Sequence, residues 1–163
     1  MEHLKKGDAA LAVAGPIGEA WERLDAWPLF SEPFGVLVGR THRLSGHSHL
    51  TLEDLRAERV LARPYCELAA AFEAFARDHG ILQTGVHCVA CEQDVIALVV
   101  ACVGVAIAPR SIPCPPELCA LEAEGMELTR TVSLYAVAGR ERAPPATALM
   151  KLLRARDWSV NAA

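Results

Sequence analysis

The chain is poor in aromatic side chains, 6% of its 163 residues, and poor in charge, 22%. Positive charge is not in surplus: 16 Lys and Arg stand against 20 Asp and Glu, a net charge of −4. A chain that is 52% hydrophobic is neither disordered nor a coiled coil. Its length allows about 70% of the unfolded surface to be buried in one or two small cores. Without excess cation to neutralise phosphates, it is not expected to bind nucleic acid directly. Long hydrophobic runs are also missing. The longest, Val95 to Ala108, is interrupted by Cys102 and Gly104 and falls short of the roughly 20 residues of a bilayer span. Met1 to Lys6 leads into Gly7 and Asp8 rather than into an apolar signal core. The expectation is a soluble, cytoplasmic protein that does not engage membranes.

Motifs that would mark an enzyme are absent. There is no glycine-rich phosphate loop, no Gly-x-Ser-x-Gly elbow, no His-Glu-x-x-His and no convincing carboxylate pair on one element. A cysteine nucleophile needs a base beside it, and His87, next to Cys88, would point to the opposite face of a strand. Six cysteines in a chain of this size read as reduced thiols, because the core needs no covalent staples. Cys102, in an apolar helical run, and Cys114 and Cys119, flanking Pro115-Pro116, are expected to be small buried hydrophobes. Cys88-x-x-Cys91 has the spacing of a redox or soft-metal pair. It lacks a second pair at zinc spacing, and Cys88 is expected to face the core from a strand. His42, His47 and His49 share a polar loop and are expected to be exposed rather than ligating. No catalytic residue, metal or cofactor is expected.

What is present is an alternation of short apolar runs and helical patterns. Leu11 to Ala14 reads as a buried strand ended by Gly15-Pro16, and Phe34 to Val38 as a second, after Pro33. Thr51 and Asp54 have capping-box spacing for a short helix through Leu55. Arg59 to Ala62 reads as a third strand. Arg63-Pro64 is then expected to open a helix, with Pro64 in its first turn, Leu68, Phe72, Phe75 and His79 on one side, and Gly80 as the stop. Val86 to Val89 reads as a strand, and Glu92-Gln93-Asp94 opens a helix that is apolar nearly all round. Val105 to Ala108 is the strand that follows it. Strand, helix, strand, helix, strand predicts an α/β fold with mainly parallel sheets. Thr131 to Val137 alternates as a strand. Ala143-Pro144-Pro145 starts a last helix with Leu149, Met150, Leu152 and Leu153 as its apolar stripe and cations towards its end.

Several of these segments, in order, resemble the effector-binding domain of LysR-type transcriptional regulators. Trp27-Pro28-Leu29-Phe30-Ser31-Glu32-Pro33-Phe34 followed by Val36-Leu37-Val38 is similar to that family's "PLF-x-EPL" strand. His42-Arg43-Leu44-Ser45 sits where the family commonly has His-Pro-Leu-Ala. Ile96 to Arg110 closely follows its "ALVAAGLGIALLP" signature. Leu4 to Gly7 before Leu11-Ala12-Val13 also fits. Ala10 stands where the family usually has Asp, and Cys102 where its signature has Gly. The resemblance begins partway into the domain, without the helix-turn-helix, the linker helix or the first strand, helix and second strand.

The resemblance implies two small α/β subdomains joined by crossing strands: a reduced first one from 1–40 and 132–163, and a second from 41–131. It also implies a small-molecule effector in the cleft between them. Residues at the carboxyl ends of strands are the implied contacts: Gly15 and Pro16, then Arg63, Pro64, Tyr65 and Cys66, then Cys91, Glu92 and Gln93 at a helix start. Arg63 suggests an anion, a small carboxylate for instance, although such an arginine is as often a surface residue. Loss of the first two strands would leave Leu11 to Ala14 as a bare edge, which invites a homodimer. An alternative is a dimerising interaction protein, pairing with itself or with full-length regulators, that no longer holds an effector.

Overall fold

The computed structural model describes residues 1–18, 21–81 and 88–158. The chain forms two compact units, Met1–Glu32 with Arg130–Ala163, and Pro33–Thr129. Strands β2 (Leu24–Gly39) and β5 (Thr129–Val137) run from one into the other.

In the first unit, α1 (Glu2–Lys6) precedes the short strand β1 (Ala12–Ala14). β1 pairs antiparallel with β5, Val13 opposite Leu134, and among the described residues has no second neighbour in the strand order, so it is an edge. Alternation decides which side is covered. Ala12 and Ala14 pack with Leu4, Tyr135 and Val137, while Val13, on the opposite face, is 52% exposed. The final helix α5 (Pro144–Ala155) starts at the expected prolines but contains no buried residue, and Leu149 and Leu152 of its apolar stripe are exposed. The carboxylate of Glu32, 1% exposed, accepts a 2.7 Å hydrogen bond from Arg130 Nε.

The second unit is layered. β2 continues between β3 (Ala106–Pro109) and β4 (Leu118–Leu121), antiparallel to both. Phe34, Val36 and Val38 of β2 enter one core with Leu44, Leu50, Leu55 and Ile81, and Leu37 enters another with Val95, Val99 and Leu118. Period-two alternation therefore feeds an apolar layer on each face of the sheet. Helices α2 (Leu52–Arg56) and α3 (Ala69–Asp78) contribute to the first layer, and α4 (Glu92–Val100) to the second. The expected capping box on α2 is formed, with Thr51 and Asp54 exchanging bonds. Gly104 is required by a close approach: a Cβ there would lie 2.5 Å from the Arg59 carbonyl oxygen.

The sheet itself departs from expectation. Every strand pair with a defined register is antiparallel, and among the described residues parallel pairing is confined to single bridges, Leu50 to Ala123, Val60 to Val105 and Ala62 to Cys88. The Arg59 to Ala62 run bonds correctly, Leu61 N–H to the Val105 carbonyl and Val105 N–H to that of Arg59. It cannot lengthen into a ladder because Pro64, without an N–H, turns the chain two residues after the bridge at Ala62. The helix expected to open at Pro64 instead starts at Ala69. Cys66 N–H donates to the Arg63 carbonyl at 2.9 Å, which puts Pro64 second in a β-turn, where its fixed φ is favoured.

Candidate functional site

The bridges at Val60 and Ala62 fix the height at which Arg63 leaves the sheet, and α4 begins close by. Cys91 is the N-cap of α4 and its side chain makes no cap bond. Glu92, the first helical residue, turns its carboxylate to Arg63: Nη2 donates to Oε2 at 2.6 Å. Arg63 Nη1 donates to the Ile107 carbonyl at 2.9 Å, and Nε to the Tyr65 hydroxyl at 3.3 Å. That hydroxyl in turn donates to Glu92 Oε2 at 2.9 Å. The three side chains close a ring of hydrogen bonds, with Arg63 only 9% exposed. Burial pulls the Arg63 pKa down, but the bonds to Tyr65 and Glu92 outweigh it and hold the group above its ordinary value. Burial also raises Tyr65, with Arg63 opposing and Glu92 reinforcing. Glu92 Oε1 is buried and accepts no hydrogen bond, so the ring retains one acceptor for an incoming donor.

The guanidinium is thus neither a free anion hook nor a solvated surface group. Its charge is met within the protein, which charge at position 63 alone cannot reveal. The signal that could have revealed it was an acidic residue at the first position of the next helix, where the macrodipole also favours it.

Behind Arg63 the second unit opens a cavity of about 500 Å³. Phe34, Val60, Leu68, Phe72, Ile107 and Leu128 supply apolar wall. Pro64, Cys66 and Cys88 also line it. Among the described residues, Arg63 and Glu73 are the charged ones on its lining. Glu73, an exposed residue of α3, pairs with Arg77 at 2.9 Å. α3 forms this wall because Leu68 and Phe72 recur at helical spacing, the stripe expected from the sequence; Phe75 packs in the neighbouring core and stacks on His79 at 4.3 Å.

Of the expected contacts, Arg63, Tyr65 and Glu92 come together, Pro64 and Cys66 line the cavity, Cys91 caps α4 and Gln93 is exposed on its first turn. Gly15 and Pro16 belong to the other unit, where the Gly15 carbonyl accepts from the Tyr135 hydroxyl at 3.1 Å. Sequence reasoning missed Phe34, Ile107 and Leu128, which are brought to one wall by strand register and a returning loop.

Several cysteine and histidine expectations are corrected. Cys88 is exposed rather than core-facing, because its neighbour Val89 takes the core position and successive side chains alternate. Cys114 is exposed; Cys119 is half-buried against the core. Cys102 lies beyond α4, not within it, at a left-handed φ of 53°. His42 is not solvent-exposed: it is 9% exposed, accepts from Leu44 N–H through Nδ1 and places Nε2 3.3 Å from Glu58. His47 and His49 are exposed. His87 and the start of the Val86 to Val89 run lie outside the described residues. Among the described residues no three His, Cys, Asp or Glu side chains are grouped to hold a metal, and no helix is long and apolar enough to cross a membrane.

The family model of the LysR substrate binding domain matches residues 1–158. No curated protein matches in sequence. Among solved structures, the chain is similar to the CcmR regulatory domain from Synechocystis PCC6803 in complex with 2-PG, at 17% identity and a TM-score of 0.74, covering 94% of this chain and 76% of that one. It is similar to the effector binding domain of QuiR in complex with shikimate, at 17% identity and 0.76, covering 93% and 73%. HinK, a LysR family transcriptional regulator from Pseudomonas aeruginosa, aligns at 15% identity and 0.79, covering 94% of this chain and 54% of that one. At these identities the likeness is one of fold.

Proposed function

Because the chain belongs to the LysR substrate binding domain family, we propose that it is a cytoplasmic, non-catalytic module that binds a small-molecule effector on its second unit. The family is a regulatory, effector-binding one, and two similar structures hold 2-PG and shikimate. The observation that carries the reading for this chain is the cavity of about 500 Å³ behind Arg63. That size falls within the roughly 300–1,000 Å³ of small-molecule sites, which are mostly apolar with a few placed polar groups. Arg63, Pro64 and Cys66 line it, Tyr65 is hydrogen-bonded to Arg63, and Cys91, Glu92 and Gln93 start the helix that Arg63 is tied to.

A thermal-shift screen against amino acids, carboxylates, aromatic acids and neutral aromatics tests the reading. A ligand that binds only the folded state stabilises it by about 2.7 kcal/mol at a hundredfold excess over Kd. One chemical class is expected to raise Tm in proportion to the logarithm of its concentration. A folded protein that responds to no compound overturns the reading.

A second reading rests on β1. An edge strand with one bonded neighbour and Val13 52% exposed offers free N–H and C=O groups to another chain. We propose that two copies pair along Ala12–Ala14. With no effector response, this pairing would be the function, extending to mixed dimers with longer family members.

A further inference from the structure

Among the described residues, the two charged side chains on the cavity lining each have a partner within the protein. Arg63 is tied to Glu92 at 2.6 Å, to the Ile107 carbonyl and to Tyr65. Glu73 is tied to Arg77 at 2.9 Å. A carboxylate entering the cavity would leave water without an unpaired cation among the described lining residues to receive it, and Glu92, which shares the guanidinium, would repel it. An unpaired buried charge is among the costliest groups to place in an apolar surround. An uncharged ring system loses little hydration there and gains contact with Phe34, Leu68, Phe72, Ile107 and Leu128. A hollow of this size with such walls is also unfavourable to leave to water, which would find few polar partners.

Resting on the reading that this unit binds an effector, we propose that the ligand of the cavity is an uncharged, mainly apolar ring compound rather than an anion. Selection against anions is set by Glu92, which neutralises Arg63 from the first turn of α4. The guanidinium acts as a fixed wall and hydrogen-bond donor, and the discrimination lies in the ion pair, not in the shape of the cavity.

Two isosteric probes separate charge from shape: 2-naphthamide, neutral, and 2-naphthoate, an anion at neutral pH. Titration followed by calorimetry and by methyl and amide NMR is expected to show the amide binding at least tenfold more tightly, with shifts at Leu68, Ile107 and Leu128. Ala69→Phe, which fills the cavity from the first turn of α3, is expected to abolish that binding at an unchanged or raised Tm. Glu92→Gln, which releases Arg63 from its counter-ion, is expected to cut the preference by at least tenfold by strengthening naphthoate. Should Ala69→Phe fail to fold, the wild-type ratio and Glu92→Gln still decide. Naphthoate binding as tightly as the amide to the wild type, or a preference unchanged in Glu92→Gln, overturns the proposal. So does failure of naphthamide to bind the cavity. In that case a carboxylate or other compound that still raises Tm in the wider screen leaves the effector-binding reading standing, whereas silence there removes both.

Discussion

Gly80 and Cys102 occupy the same place in two helix ends. At the end of α3, Gly80 N–H donates to the Arg77 carbonyl and Ile81 N–H to that of Ala76, and Gly80 takes φ +65°. At the end of α4, Cys102 N–H donates to Val99 and Val103 N–H to Leu98, and Cys102 takes φ 53°. Both are Schellman ends that call for a left-handed residue, for which glycine has no Cβ penalty. The family signature has glycine where Cys102 stands, and the backbone shows why. Cys102→Gly is expected to raise stability by about 0.5 kcal/mol in urea unfolding: relief of about 1 kcal/mol of left-handed strain is partly offset by a freer unfolded chain. Gly80→Ala is expected to lower it by about 1 kcal/mol. Gly80 is legible in the sequence as a helix stop, whereas the φ of Cys102 cannot be read from a single cysteine in an apolar run. Arg130 and Glu32 make a second residue-scale prediction. Removing one partner of a buried pair costs about 3 kcal/mol, so Arg130→Met is expected to lower the unfolding free energy by that order, and Arg130→Met with Glu32→Leu to recover much of it. Thiol reactivity follows exposure. Burial raises the Cys66 thiol pKa, so mass spectrometry after brief alkylation is expected to find exposed Cys88 modified before Cys66.

Short elements here owe their limits to single residues. α2 spans five residues, too few to stand without its cap. The Thr51 backbone N–H and side chain both hold the Asp54 carboxyl below its ordinary pKa of 3.8. A depressed pKa contributes stability above the unfolded value and loses it as pH falls through the folded one. Amide exchange in Leu52–Arg56 is therefore expected to quicken selectively below about pH 3.8, and Thr51→Val, which keeps the backbone bond and loses the side-chain one, to weaken that pH dependence. Thr51 and Asp54 could be read three residues apart because a capping box is local. The start of α3 could not, because Pro64 suits both a helix's first turn and the second place of a β-turn. The Cys66 to Arg63 backbone bond decides between them.

For the molecule as a whole, the proposed pairing along β1 is testable apart from ligand binding. Val13→Lys, at a position 52% exposed, is expected to leave Tm nearly unchanged while shifting light-scattering mass towards the monomer, because a lysine on an edge strand blocks pairing. An unchanged mass would dismiss β1 as the interface. By itself the sequence determined the α/β class, the resemblance to the family, the strand within Leu11 to Ala14, the capping box of α2 and the start of α4 at Glu92. Each is carried by local pattern: apolar period, caps, prolines, and motif order. Only the tertiary structure decided that the sheet is mostly antiparallel, that Glu92 neutralises Arg63, and that Phe34, Ile107 and Leu128 meet Leu68 and Phe72 around one cavity. These depend on register and on contacts between residues far apart in the chain, where the partner of a charge is set by where the backbone places it.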